Sequence, residues 1–435
     1  MPMNETAVKP QGYLPRIVDL QIERYLSLFG AIEIAGTKWC GKTWSARAHA
    51  SSITYVDKGD NIDIASADPS LMLIGNAPHV VDEWQRVPII WDTVRHAVDD
   101  AEGKKGQWIL TGSSTPKKDK VAHSGAGRIG RIRMQPMSLA ESGESTGEVS
   151  LQKLFSGKFT PCKVKADTLS LVELVCRGGW PEALSYKADD SQVVVREYLR
   201  SIYEQSVPQM GKSPDTAERL VASIARNLGQ AVSLETLKKD TLGVDKNREE
   251  ATASDKTIAS YLQMLTSLFL LDNIKGWAPP ARSPKRVQTK EKRYFADPSI
   301  AVATLGMSPS SLIRDWQTFG LVFENLCMRD IQVYARALPD VSSHPVRYYR
   351  DDSGLEVDAI VENADGSWGA FEIKTSEAKV QDGVNTLTRL RDKLLKDPGK
   401  KMQEPAFLGV IVGVAEYARR TPEGVFVIPI RALGV

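Results

Sequence analysis

The chain has 435 residues, too many for one ordinary core, so two to four domains are expected. Hydrophobic residues at 42% and charged residues at 25% exclude a disordered or fibrous chain, and no run of 18 apolar residues offers a membrane-spanning helix. A net charge of +2 confines any nucleic-acid affinity to local patches, and four scattered cysteines without a CxxC pair exclude a disulfide or zinc framework.

The N-terminal MPMNETAVKP carries neither a basic leader nor an apolar h-region. With the reduced-thiol pattern of Cys40, Cys162, Cys176 and Cys327, the expected location is the cytoplasm, with no membrane partner expected. A short apolar strand, Ala31 to Ala35, then runs into Gly36, Thr37, Lys38, Trp39, Cys40, Gly41, Lys42 and Thr43, which match G-x-x-x-x-G-K-[ST] in full. Glycines let successive amides turn toward phosphate oxygens. Lys42 can reach the β- and γ-phosphates, and Thr43 can offer its hydroxyl to Mg²⁺, so ATP and Mg²⁺ are the expected cofactors.

A second strand, Ile53 to Asp57, is expected to pair at the outer edge of the sheet. His79 to Glu83 is an apolar strand ending in two carboxylates. Asp82 suits the Mg²⁺ shell, and Glu83 suits the base that activates water. Residues 89–101 read as an amphipathic helix. Gln107 to Leu110 then lead into Thr111-Gly112-Ser113-Ser114, as a phosphate-sensing strand would. Residues 115–127, rich in Lys, Ser and Gly, read as a mobile loop. Arg128 is the arginine assigned to a γ-phosphate, in cis or from a neighbouring copy in a homo-oligomer. Arg131 and Arg133 are assigned to a solvated strand face. Alternating strands and helices imply an α/β fold around a covered parallel sheet over residues 1–143.

Residues 144–211 read as a linker and helical region in which Gly178-Gly179-Trp180-Pro181 makes a turn anchored by Trp180. Over 212–295, helical stretches at 217–229, 233–240 and 255–269 (with Ser254 as its N-cap) precede a strand from Leu270 to Trp277. A segment from Arg282 to Arg293 then holds six basic residues and one acid. Three helices with a basic hairpin fit a winged helix, a fold that meets either DNA or protein.

Residues 296–435 read as a further α/β domain. GLEVDAIVENADGSWGAFEIK forms two strands around an Asp365-Gly366 turn, with Asp358 on the first. Glu372 and Lys374 on the second share one face. This is the D…(D/E)-x-K pattern of the PD-(D/E)XK nuclease fold, in which Asp358 and Glu372 hold a divalent cation and Lys374 steadies the nucleophile. A helix at 380–396 and strands at 406–413 and 424–430 complete that core. By resemblance to nuclease-fold proteins, Glu324, at the start of an apolar helix, completes the metal site.

The strings PHVVDEWQRVP, WDTVRHAVDD, ILTGSS, HSGAGR and PMSLAESG, followed by RGGWP, resemble bacterial and archaeal AAA-type ATPases whose C-terminal part is a domain of unknown function. The resemblance implies nucleotide and Mg²⁺ roles for Lys42, Thr43, Asp82 and Glu83 and a phosphate-sensing role for Arg128. Three readings follow: an ATPase coupled to a DNA-directed module, an ATP-licensed Mg²⁺-dependent nuclease, and an ATP-dependent switch that meets a protein partner.

Overall fold

The computed structural model describes residues 8–115, 124–242, 255–279, 283, 285, 289–396 and 402–435. Parts of the expected 115–127 loop, the Ser254 cap, and Arg282, Pro284 and residues 286–288 of the basic segment lie outside the described residues. The chain divides into two compact units, one running up to Met137 and including Ser267–Leu270, the other Ser138–Thr266 with Leu271–Val435.

The first unit is built on five parallel strands: β1 (Ala31–Gly36), β2 (Ser52–Tyr55), β3 (His79–Asp82), β4 (Trp108–Gly112) and β5 (Ile129–Met134), in the order β2-β3-β4-β1-β5. β2 takes the outer edge beside β3. The central strands read as near-continuous apolar runs because both sheet faces are covered. On one face Ala31, Val81 and Leu110 pack with Trp84, Trp91 and Val94, the last two from helix Ile90–Asp100. On the other, Ile32, Ile34, Val80, Ile109 and Ile132 meet Ile22 of helix Asp19–Leu28 and Ala46 of helix Lys42–Ala48. Since all strands run one way, Gly36, Asp82 and Gly112 finish at one edge, which is where an open α/β sheet binds ligands. Arg131 pairs with the buried Glu33 at 3.4 Å and lies 4.6 Å over the ring of Trp91, while Arg133 covers Phe269. Both serve packing in the strand wall.

The second unit joins segments that the sequence divides into linker, winged helix and nuclease-like domain. β6 (Val149–Ser150) pairs with β17 (Leu433–Gly434), and β7 (Cys162–Lys163) with β15 (Tyr417–Arg420). The expected linker is therefore stitched to the C-terminal strands. Its helices Thr168–Arg177 and Ala188–Ser201 follow, with Trp180 buried between them and donating through Nε1 to Ser299 Oγ at 2.9 Å. Helices Pro214–Arg226, Leu234–Leu242 and Asp255–Ser267 precede a two-stranded antiparallel ladder of β8 (Leu271–Ile274) and β10 (Lys292–Phe295).

An eight-stranded mixed sheet forms the remainder. It contains β9 (Gly276–Trp277), β11 (Val341–Arg350), β12 (Glu356–Asn363), β13 (Trp368–Ser376), β14 (Phe407–Val414) and β16 (Phe426–Pro429), in the order β7-β15-β16-β14-β13-β12-β11-β9. Helix Val380–Leu395 buries Val384, Leu387 and Leu390 against one face with Trp368, Val410 and Val427. Helix Trp316–Arg336 carries the buried Phe319, Val322, Phe323 and Leu326.

Candidate nucleotide site and carboxylate cluster

The loop Gly36–Thr43 connects β1 to helix Lys42–Ala48. Gly36 has no room for a side chain, since a Cβ there would sit 2.2 Å from the carbonyl oxygen of Met134 on β5. Gly41 enters the helix at φ 98°, in the left-handed region that glycine tolerates. Lys42 is buried and donates through Nζ to the Thr37 carbonyl at 2.9 Å, so its ammonium lies within the curve of the loop. Gly36→Ala is expected to lower stability by about 1–3 kcal/mol, the cost of overpacking, and to weaken ATP binding because the loop must shift. Denaturant melts beside nucleotide titration check it.

Thr43 donates to Asp82 Oδ1 at 2.8 Å, and Thr111 on β4 donates to the same oxygen. Burial pushes the Asp82 carboxyl above its usual range, and these two hydroxyl bonds pull against it. Thr111 Oγ1 in turn accepts from the amide of Glu83 at 3.2 Å. Glu83 has φ 57°, an uncommon conformation for a residue with a side chain. Its carboxylate accepts from Ser113 Oγ at 3.0 Å and from the side-chain amide Nε2 of Gln85. The end of β3 thus presents two carboxylates beside the loop, Asp82 fixed by Thr43 and Thr111 and Glu83 by Ser113 and Gln85. A hydroxyl and a carboxylate in contact are hard oxygen donors of the kind Mg²⁺ takes, so these residues fit the ion.

Arg16 is a member of this site that no motif marks. It is buried and donates at 2.8 Å both to the carbonyl of Cys40 in the loop and to that of Gln135 just past β5. Only its long-range partners reveal it.

Arg128 is placed elsewhere. It precedes β5, whose first residue pairs with Ala31, the first residue of β1. Five further residues of strand, roughly 17 Å, separate that level from Gly36. There it pairs with Asp99 at 2.9 Å. The parallel register therefore removes Arg128 from the phosphate loop of its own chain.

In the second unit Glu324, Asp358, Glu372 and Lys374 do come together. The β12–β13 ladder ends at Ala359↔Phe371, and Asp358 continues it by accepting the amide of Ile373 at 2.9 Å. Lys374 Nζ pairs with Glu372 Oε2 at 2.6 Å. Glu324 accepts from the Tyr294 hydroxyl at 2.6 Å. Burial, reinforced by the Asp358 charge, raises the pKa of both Glu324 and Glu372.

No sequence motif marks Lys292. This buried residue of β10 lies 2.7 Å from Glu356, 3.6 Å from Glu324 and 3.9 Å from Asp358. Burial disfavours its charge, yet the three carboxylates raise its pKa overall. Among the described residues no group of three or more His, Cys, Asp or Glu could hold a metal ion. Asp358 gives Oδ2 to an amide, Glu372 gives Oε2 to Lys374, and an ammonium stands among the carboxylates. The cluster does not fit a divalent cation.

Residues 29–143 match the family described as AAA domain. Residues 168–311 and 319–433 match two families described as domains of unknown function, DUF8612 and DUF4143. Among curated proteins none matches the chain. Of solved structures, the Walker-type ATPase of Pyrococcus abyssi is 13% identical, with 70% of this chain and 99% of that one covered and a TM-score of 0.44. The Thermotoga maritima RuvB Holliday junction branch migration motor is 16% identical over 70% and 99%, with a TM-score of 0.30. Such weak similarity adds nothing to the strand order itself. The loop and the parallel sheet make residues 29–143 a P-loop domain, and its sequence is similar to the AAA domain family.

Proposed function

We propose that the first unit binds ATP with Mg²⁺ and hydrolyses it, and that its nucleotide state governs how the second unit meets DNA. The observation that carries the reading is the hydrogen-bond chain Thr43–Asp82–Thr111–Glu83–Ser113 at the strand ends beside the loop. Lys42 and the loop amides would hold the phosphates. Thr43 and Asp82 would hold Mg²⁺, which when bound neutralises phosphate charge. Glu83, oriented by Ser113 and Gln85, takes the proton of the attacking water. Arg128, distant from its own loop, could touch phosphate only in a neighbouring copy, so that role belongs to a homo-oligomer.

Support for a DNA-directed module comes from three helices followed by the β8–β10 ladder, the element order of a winged helix. A switch that meets a protein instead is favoured by the third of those helices. Its exposed positions Asp255, Lys256, Ala259 and Gln263 offer one anion beside one cation, a poor match for a phosphate backbone.

The test is ATP turnover by the full chain and by Lys42→Ala, each with and without duplex and branched DNA. Turnover that Lys42→Ala abolishes and DNA alters is the expected result. Turnover indifferent to every DNA would transfer the second unit to a protein partner, and no turnover at all would end the ATPase reading.

A further inference from the structure

Lys292 is buried, with 3% of its surface exposed. Its ammonium faces Glu356, Glu324 and Asp358, drawn from β12 and from helix Trp316–Arg336, and its other flank lies 5.3 Å from the ring centre of Tyr348. A cation held by carboxylates from separate elements does what a metal does in such a cluster: it offsets their repulsion and ties the elements together. Tyr294 donates to the same Glu324 oxygen that faces Lys292, the Ile373 amide donates to Asp358 Oδ2, and Lys374 pairs with Glu372 Oε2.

Access is narrowed from above. After helix Pro214–Arg226 the chain turns at Gly229, whose amide donates to the Arg293 carbonyl at 3.0 Å. A Cβ at Gly229 would lie 3.0 Å from Glu324 Oε1 and 3.1 Å from Tyr294 Cε1. The turn is therefore seated directly against the carboxylate that a nuclease would need for its metal, and Glu372 is itself only 4% exposed.

We propose that Lys292 is the resident cation of this cluster, standing where a divalent metal would otherwise bind, so that the C-terminal α/β domain holds its carboxylates together without metal and does not cut phosphodiesters through Asp358, Glu372 and Lys374. A dication entering the cluster would meet a buried ammonium among its own ligands, and the two positive charges would repel each other at short range. The inference concerns the second unit alone and goes beyond the nucleotide reading.

The test measures Mn²⁺ uptake by the nucleotide-free full chain, from the loss of the free-ion electron paramagnetic resonance signal. Without nucleotide, the outcome does not depend on whether the first unit hydrolyses ATP. Wild type and D358N are expected to take up the same Mn²⁺, while K292M takes up a further ion that K292M/D358N loses. Mn²⁺ bound by wild type and lost in D358N would overturn the proposal, as would Mn²⁺-dependent cutting of plasmid or branched DNA by wild type that D358N abolishes. A folded K292M with no added uptake would also overturn it. Should K292M fail to fold, the wild-type and D358N pair decides the matter by itself.

Discussion

Glu83→Gln is expected to slow ATP hydrolysis by about 10²–10⁴-fold, the range a positioned general base contributes, while ATP binding persists. The amide keeps the size of the side chain and its contacts with Ser113 and Gln85 but cannot accept the proton of water. Asp82, with Thr43 and Thr111 on its oxygen, is untouched by the change, so the groups that would hold Mg²⁺ remain. Single-turnover phosphate release beside equilibrium nucleotide binding separates the two effects. Hydrolysis at the wild-type rate would remove Glu83 from the chemistry, and lost binding would make its role structural.

Arg329→Ala is expected to destabilise the second unit by about 3–5 kcal/mol, the cost of leaving a buried charge without its partner. Arg329 is 2% exposed and donates to Asp297 at 2.8 Å and to Asp330 at 2.7 and 2.9 Å. Those aspartates hold other parts of the unit in turn. Asp297 accepts from the Gly179 amide at 2.9 Å, and Asp330 from the Leu139 amide at 3.0 Å. Without the guanidinium, two buried carboxylates would face each other across the start of the unit and its long helix. Denaturant unfolding followed by near-ultraviolet circular dichroism reads the loss, and a change under 1 kcal/mol would show that the network relaxes without it.

The nucleotide site was legible in the sequence because its chemistry is local. The spacing from Gly36 to Thr43 sets the loop by itself, and an apolar strand ending in Asp82-Glu83 places two carboxylates at a strand terminus whatever surrounds it. The hairpin of β12 and β13 was readable for the same reason, since alternation and the Asp365-Gly366 turn fix which side chains share a face. Two-residue strands such as β6 and β7 carry no period at all. Their pairing with the C-terminal strands, and with it the union of the expected linker with the last domain, becomes visible only in the folded chain.

What the sequence determined by itself was therefore the loop, the order of acids and hydroxyls around it, and the strand faces of the C-terminal pattern. Tertiary structure decided which of those groups meet. Arg128 lies near the phosphate segments in sequence, but the register Ala31↔Ile129 places it at the far end of the sheet. Lys292 is one of six basic residues in the stretch read as the basic hairpin of a winged helix, and no local pattern distinguishes the one that turns inward. Pairing of β10 with β8 and the carboxylates of β12 and helix Trp316–Arg336 make that choice, because a buried ammonium is stable only where opposite charge from other elements surrounds it.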